Sequence, residues 1–104
     1  MTIPTSFAVF AHIYTVETKA NLARDENVVG RSCSNACKIL LDPSLRKSEI
    51  EEVFWHEKIH VAAKETGVKL SERDTDLLAQ ALHQIECSSL GNLFPAEPQP
   101  GRHG

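Results

Sequence analysis

The five residues H-E-K-I-H at positions 56–60 constrain this 104-residue chain more than any other feature of its sequence. Residues four apart in an α-helix share one face, with their Cβ atoms about 5–6 Å apart. His56 and His60 can therefore each direct one imidazole nitrogen at a single ion, and zinc accepts such nitrogens at about 2.0–2.1 Å. Glu57 would lie beside that ion without binding it, where a carboxylate can take a proton from water. The spacing predicts a helix that carries a zinc site.

The residues on either side predict where this helix begins and ends. Ser48-x-x-Glu51 matches the capping box, a pattern in which two side chains satisfy free backbone N–H groups at a helix start. The helix can run to Thr66, because Gly67 suits the left-handed conformation that ends many helices. The sequence therefore predicts one long helix.

Glu57 falls on the apolar side of this predicted helix on a helical wheel. The stripe around it consists of Ile50, Val53, Phe54 and Val61. Trp55 and Ile59 lie on the opposite side, so the middle of the helix is apolar nearly all round, as in a central buried helix. Burying an unpaired carboxylate is costly, and a neighbouring cation would offset that cost. The pattern thus favours a metal ion beside a buried Glu57.

A second helix is predicted downstream. Ser71-x-x-Asp74 resembles another capping box, although Asp replaces the usual Glu or Gln. An apolar stripe at helical spacing follows, made of Leu77, Leu78, Ala81, Leu82 and Ile85. We expect this helix to end near Leu90 or Gly91.

The N-terminal half predicts strands. Residues 6–18 are β-branched and aromatic and predict one strand with both faces at least partly covered. Residues 21–27 are polar and fit either a loop or a short helical turn. Gly30 indicates a break in the secondary structure. Residues 38–42 predict a short buried strand that ends at Asp42-Pro43. Strands followed by two helices indicate an α+β fold, here a small antiparallel sheet of two to three strands packed on both helices.

Composition narrows the class of protein. The chain has the length of one domain, and its net charge of −3 is made of mixed signs without the basic stripe of a nucleic-acid-binding protein. No apolar run approaches the length of a membrane span. Three cysteines leave an odd thiol, which favours a reducing compartment, and Cys33-x-x-x-Cys37 is a poor match to zinc-ribbon spacing. We expect a soluble cytoplasmic protein, with a mobile Pro/Gly-rich tail over residues 92–104.

Residues 36–86 resemble the minimal HExxH zinc metallopeptidase-like proteins of phages and prophages. These are close to the minigluzincins and more distant from the ImmA/IrrE-type peptidases. The shared pattern is a strand that leads through a short turn into the HExxH helix, and then a second helix that carries an acidic ligand. The resemblance implies a single zincin-like domain, to which we assign residues 1–91.

The identity of the third zinc ligand stays open. In the family the second helix often reads E-x-x-A-N, with the Glu as ligand, and the matching residues here run from Asp76 to Gln80. The resemblance therefore implies that Asp76 joins His56 and His60. The helical wheel favours Asp74 instead, because Asp74 lies in the middle of the apolar stripe and Asp76 lies opposite. A water molecule, Glu72 and His83 are further alternatives.

The motif and the resemblance predict a zinc-dependent peptidase that acts on a peptide or protein, with Glu57 as the general base. The predicted strand near Lys38 to Leu41 could pair with an extended substrate. A non-catalytic, zinc-stabilised interaction module is an alternative, and a metal-free interaction protein is another. Glu57 separates the first two, because a structural zinc site needs no general base.

Overall fold

The computed structural model describes residues 3–91 and residue 93, and within this part the chain forms four strands and three helices. In chain order they are β1 (Ser6–Val9), β2 (His12–Thr18), α1 (Leu22–Glu26), β3 (Gly30–Cys33), β4 (Lys38–Leu41), α2 (Lys47–Thr66) and α3 (Glu72–Cys87). The tail predicted over residues 92–104 lies outside the described residues, apart from an exposed Leu93. Within the described part, no helix has both the length and the apolar character needed to cross a membrane.

The predicted α+β class is confirmed, but the sheet differs from the one expected. Its strands lie in the order β1-β2-β4-β3, with β1–β2 and β4–β3 antiparallel and β2–β4 parallel. The prediction of an antiparallel sheet with two or three strands is therefore wrong. The parallel pair arises because the chain leaves β2, passes through α1 and the edge strand β3, and returns through β4 in the direction of β2.

Residues 6–18, predicted as one strand, form a hairpin. β1 pairs with β2 up to Val9, which lies opposite His12, and the chain reverses at Phe10 and Ala11. Phe10 adopts a left-handed φ of 52° and is exposed. The turn contains none of the Gly, Asn, Asp or Pro residues that usually mark a hairpin. The apolar pattern therefore runs through the turn without a break.

The free edge of the sheet beside α2 belongs to β3 and not to β4. β4 is a strand where one was predicted, but it pairs with β2 on one side and with β3 on the other. Its backbone is thus hydrogen-bonded along both sides, and the expectation that residues 38–41 receive a substrate strand is wrong. β3 begins at Gly30, which the sequence marked only as a break.

Helix α2 ends as predicted at Gly67, which has a left-handed φ of 76°. Its start was predicted incorrectly: the N-cap residue is Arg46, whose side chain makes no capping hydrogen bond. Glu51, expected to complete a capping box, is 5% exposed, and its Oε1 lies 3.4 Å from His83 Nε2 on α3. The capping box does not form because α2 begins at Lys47, which puts Ser48 and Glu51 inside the helix instead of at its N-cap and third positions.

The core lies between the sheet and α2. Its buried cluster consists of Tyr14, Ile39, Leu41, Phe54 and Val61. The Phe7 ring stacks on Tyr14 with centroids 5.6 Å apart and meets Phe54 edge-on at 6.2 Å, as aromatic rings prefer. This packing holds one side of α2 on the sheet, so that His56 and His60 project from a neighbouring side of the same helix.

Helix α3 begins at the predicted cap, where Ser71 Oγ accepts a hydrogen bond from the backbone N–H of Asp74 at 3.0 Å. It ends at Cys87, short of the predicted limit. The predicted apolar stripe does not enter the core, because four of its members are exposed: Leu77, Leu78, Ala81 and Ile85. α3 instead buries Thr75 and Ala79, so its polar side faces α2.

Ser48 and Ser71, the two serines predicted to cap helices, test where α2 and α3 begin. We expect Ser71→Ala to reduce the free energy of unfolding by about 0.5–2 kcal/mol, because the Asp74 N–H loses its acceptor. Ser48→Ala should change it by less, since Ser48 is an exposed residue inside the first turn of α2. Urea unfolding followed by circular dichroism measures both. A larger loss for Ser48→Ala would contradict the observed helix start.

Candidate metal centre

His56 and His60 lie side by side in the middle of α2. Their Nε2 atoms are 3.0 Å apart, and their rings meet edge-on with centroids 4.7 Å apart. The His56 side chain is 18% exposed and that of His60 is 29% exposed, so both reach solvent. The four-residue spacing on one helix face brings the two nitrogens together as the sequence predicted.

Glu72, the first residue of α3, supplies the carboxylate between these two rings. Its Oε1 lies 2.9 Å from Nε2 of His60, and its Oε2 lies 3.3 Å from Nε2 of His56. One ligand atom from each of the three residues lies within 4.8 Å of the others. From the sequence, Glu72 was only a further alternative ligand, because the family pattern matched Asp76 and the apolar stripe favoured Asp74.

Asp76 also contacts His56, but on the other ring nitrogen. Its Oδ1 lies 2.7 Å from Nδ1 of His56, where it can accept the ring N–H and leave Nε2 unprotonated. Histidines that bind metals usually donate their second N–H to a carboxylate in this way. Asp74 is exposed at the start of α3, and His83 lies beside Glu51. The structure therefore places Glu72, rather than Asp76, between the two Nε2 atoms.

The donor set fits zinc. Two imidazole nitrogens and one carboxylate oxygen form one of the ligand sets of catalytic zinc sites, in which a fourth position stays open. Zinc–ligand bonds of about 2.0–2.2 Å at tetrahedral angles require donor atoms about 3.3–3.5 Å apart. The observed separations of 2.9–3.3 Å are close to that range.

Glu57 lies beneath this group and is 7% exposed, which confirms its predicted burial. Burial is the largest influence on its carboxyl group and raises its pKa above the ordinary value. His56 and His60 act in the opposite direction, with a smaller lowering from the Ser32 side chain. The Glu57 carboxyl group thus lies close enough to both imidazole rings for them to influence its pKa. It is not one of the three groups whose donor atoms converge.

Gly30 allows the edge strand β3 to approach Glu57. A Cβ atom at Gly30 would overlap Cγ1 of Val53 and lie 3.4 Å from Cγ of Glu57. Any larger residue would push β3 away from α2 or displace Val53. The close contact between strand and helix is therefore a direct consequence of glycine at this position.

An open cleft of about 1080 Å³ lies between β3 and α2. His56, Glu57, His60 and Glu72 line it on the helical side, and residues 28–32 line it on the side of the sheet. Val28 and Val29 are partly exposed there. The cleft thus joins the candidate metal ligands, a buried carboxylate and a free strand edge in one solvent-accessible space.

A comparison with protein-family models, with curated proteins and with solved structures finds no match to this chain. The resemblance to HExxH peptidases therefore stays a prediction from the sequence motif and the predicted order of elements.

The third ligand can be tested with three substitutions on α3. We expect Glu72→Ala to weaken zinc binding at this site most strongly, because it removes a direct donor. Asp76→Ala should weaken it by about 10–100-fold, the usual effect of removing a carboxylate that orients a ligand histidine. Asp74→Ala should leave it unchanged. Competition with a chromophoric chelator measures all three affinities, and stronger weakening by Asp76→Ala than by Glu72→Ala would reverse the two assignments.

Proposed function

We propose that this chain is a zinc-dependent metallopeptidase in which His56, His60 and Glu72 hold the metal. The proposal rests on one observation above all: these three donors converge in an open cleft directly beside a buried glutamate. A structural zinc site has no need of that glutamate, and burying a carboxylate is costly unless a nearby cation or hydrogen bonds compensate it. When bound, zinc acts as a Lewis acid that polarises a carbonyl group and lowers the pKa of water.

The chain's own residues supply the remaining chemistry. Glu57 takes a proton from the attacking water and later delivers it to the amine that leaves, so the carboxylate is regenerated in each cycle. Burial raises the pKa of this carboxyl group above its ordinary value, which makes the carboxylate a stronger acceptor for the proton of water. Asp76 positions His56 by accepting its Nδ1–H.

We propose that the substrate is an extended peptide segment that adds to the free edge of β3. Strand addition needs unpaired backbone N–H and C=O groups, and β3 pairs only with β4 in the sheet. The cleft places that edge opposite His56 and Glu57. Partly exposed Val28 and Val29 at its start provide apolar contacts for substrate side chains.

A non-catalytic module held together by zinc is a second candidate, favoured by the position of Tyr14. This residue is the only tyrosine in the sequence. It is fully buried and donates a hydrogen bond to Glu65 Oε2 at 3.3 Å, so it is not among the residues that line the cleft. No tyrosine is thus available there to stabilise an oxyanion.

We further propose a cytoplasmic location. Cys33, Cys37 and Cys87 are all free thiols, which suits a reducing compartment.

Metal content separates both zinc-binding hypotheses from a metal-free protein. We expect His56→Ala and His60→Ala each to contain one zinc ion per chain fewer than the wild type. Elemental mass spectrometry of the purified proteins measures this zinc content. Zinc should raise the melting temperature of the wild type, because a ligand that binds the native state stabilises it. His12→Ala is the matched control, since His12 lies on β2, where it contacts Glu65, and should keep its metal. Equal zinc content in all four proteins would contradict the assigned ligands.

Glu57→Gln separates an enzyme from a module. We expect this nearly isosteric change to preserve zinc binding and to reduce cleavage of a peptide library by about 10²-fold or more, the scale of a general base. Glu52→Gln is the control, because Glu52 lines the same cleft but has no part in the proposed chemistry. Unchanged cleavage with zinc still bound would exclude Glu57 as the base.

A further inference from the structure

We infer that the chain has a second site for a zinc-class ion, formed by Glu51, His83 and Cys87 between α2 and α3. Nothing in the proposed peptidase chemistry uses these residues. Glu51 comes from the second turn of α2, and the other two come from the last turns of α3. The two candidate sites therefore share the same pair of helices but no residue.

The three donor atoms already surround a common point. Nε2 of His83 lies 3.4 Å from Oε1 of Glu51 and 3.3 Å from Sγ of Cys87, and all three atoms lie within 4.8 Å of one another. Tetrahedral zinc with bonds of about 2.0 Å to nitrogen and oxygen and 2.3 Å to sulfur requires separations of about 3.3–3.6 Å. Both measured distances fall in or next to this range.

The geometry favours a metal site over a catalytic relay. In a relay of thiol, imidazole and carboxylate, the thiol and the carboxylate contact different ring nitrogens, so that a proton can pass between them. Here both Glu51 and Cys87 approach the same nitrogen, Nε2 of His83. One N–H at Nε2 could only be shared between the two acceptors, whereas a cation among the three atoms would contact all of them.

Burial and helix spacing support the same inference. The Glu51 side chain is 7% exposed and that of His83 is 13% exposed, whereas Cys87 is exposed. An ion held there would therefore be shielded from solvent on the side of Glu51 and His83. His83 and Cys87 are four residues apart on one helix face, as His56 and His60 are. The exposed thiol gives the ion a path from solvent and leaves room for water as a fourth ligand.

The donor types select the ion. Thiolate and imidazole ligands favour zinc and similar transition metals, whereas magnesium and calcium prefer oxygen ligands. Such an ion would join the N-terminal part of α2 to the end of α3. It would hold the polar side of α3 against α2, where the buried residues of α3 are only Thr75 and Ala79 within the described chain.

Cobalt(II) substitution tests this site separately from the first. A thiolate bound to cobalt gives a charge-transfer band in the near ultraviolet, and the His56 site contains no sulfur. We expect the reduced full-length protein to show this band with one thiolate-bound cobalt per chain. Cys87→Ser should abolish it, whereas Cys33→Ser and His56→Ala should retain it. Because Cys87 is exposed, its replacement by serine should leave the fold intact.

The other two ligands are tested by affinity. Glu51→Gln and His83→Gln should weaken cobalt binding, read from this band, by at least the roughly 10–100-fold that changes around a metal site cost. Circular dichroism of each variant shows whether the fold is kept. If a variant does not fold, protection of Cys87 from alkylation by zinc in the wild type, compared with Cys33, provides the deciding measurement. No band in the reduced wild type, or a band that survives Cys87→Ser, would overturn the inference.

Discussion

The polar contact between the start of α3 and the middle of α2 is the interaction on which the candidate site depends. It places the Glu72 carboxylate beside Nε2 of both histidines and the Asp76 carboxylate beside Nδ1 of His56. With Glu57 buried nearby, three carboxylates surround two histidines. The Glu72 and Asp76 side chains are largely exposed, whereas Glu57 is buried, so the group combines three acidic side chains with two imidazole rings. The proposed divalent cation would compensate this negative charge and would bind both imidazole Nε2 atoms.

The features that the sequence predicted correctly depend on residues within one element. The common face of His56 and His60, the burial of Glu57 and the end of α2 at Gly67 all follow from helical spacing or from the conformation of a single residue. The Ser71 cap is a local pattern of the same kind. These features need no knowledge of how the helices and strands pack together.

The features that were missed depend on contacts between elements. Glu72 was ranked below Asp74 and Asp76 as a ligand, because the apolar stripe, which is exposed in the structure, favoured Asp74 and the family pattern favoured Asp76. A usable signal was present: Glu72 and Asp76 are four residues apart, like the two histidines, and face them across an antiparallel helix pair. No sequence pattern predicted the parallel pairing of β2 with β4, because this pairing depends on the connection through α1 and β3 that brings β4 back beside β2.

The central claim, that an ion binds between His56, His60 and Glu72, can be tested most directly by locating it. X-ray diffraction from zinc-loaded crystals, collected on both sides of the zinc absorption edge, reveals zinc positions independently of any functional assay. We predict an anomalous peak at about 2.0–2.2 Å from Nε2 of both histidines and from a Glu72 oxygen, with Asp76 still on Nδ1 of His56. Absence of a peak at this position in crystals that contain zinc elsewhere would contradict the account.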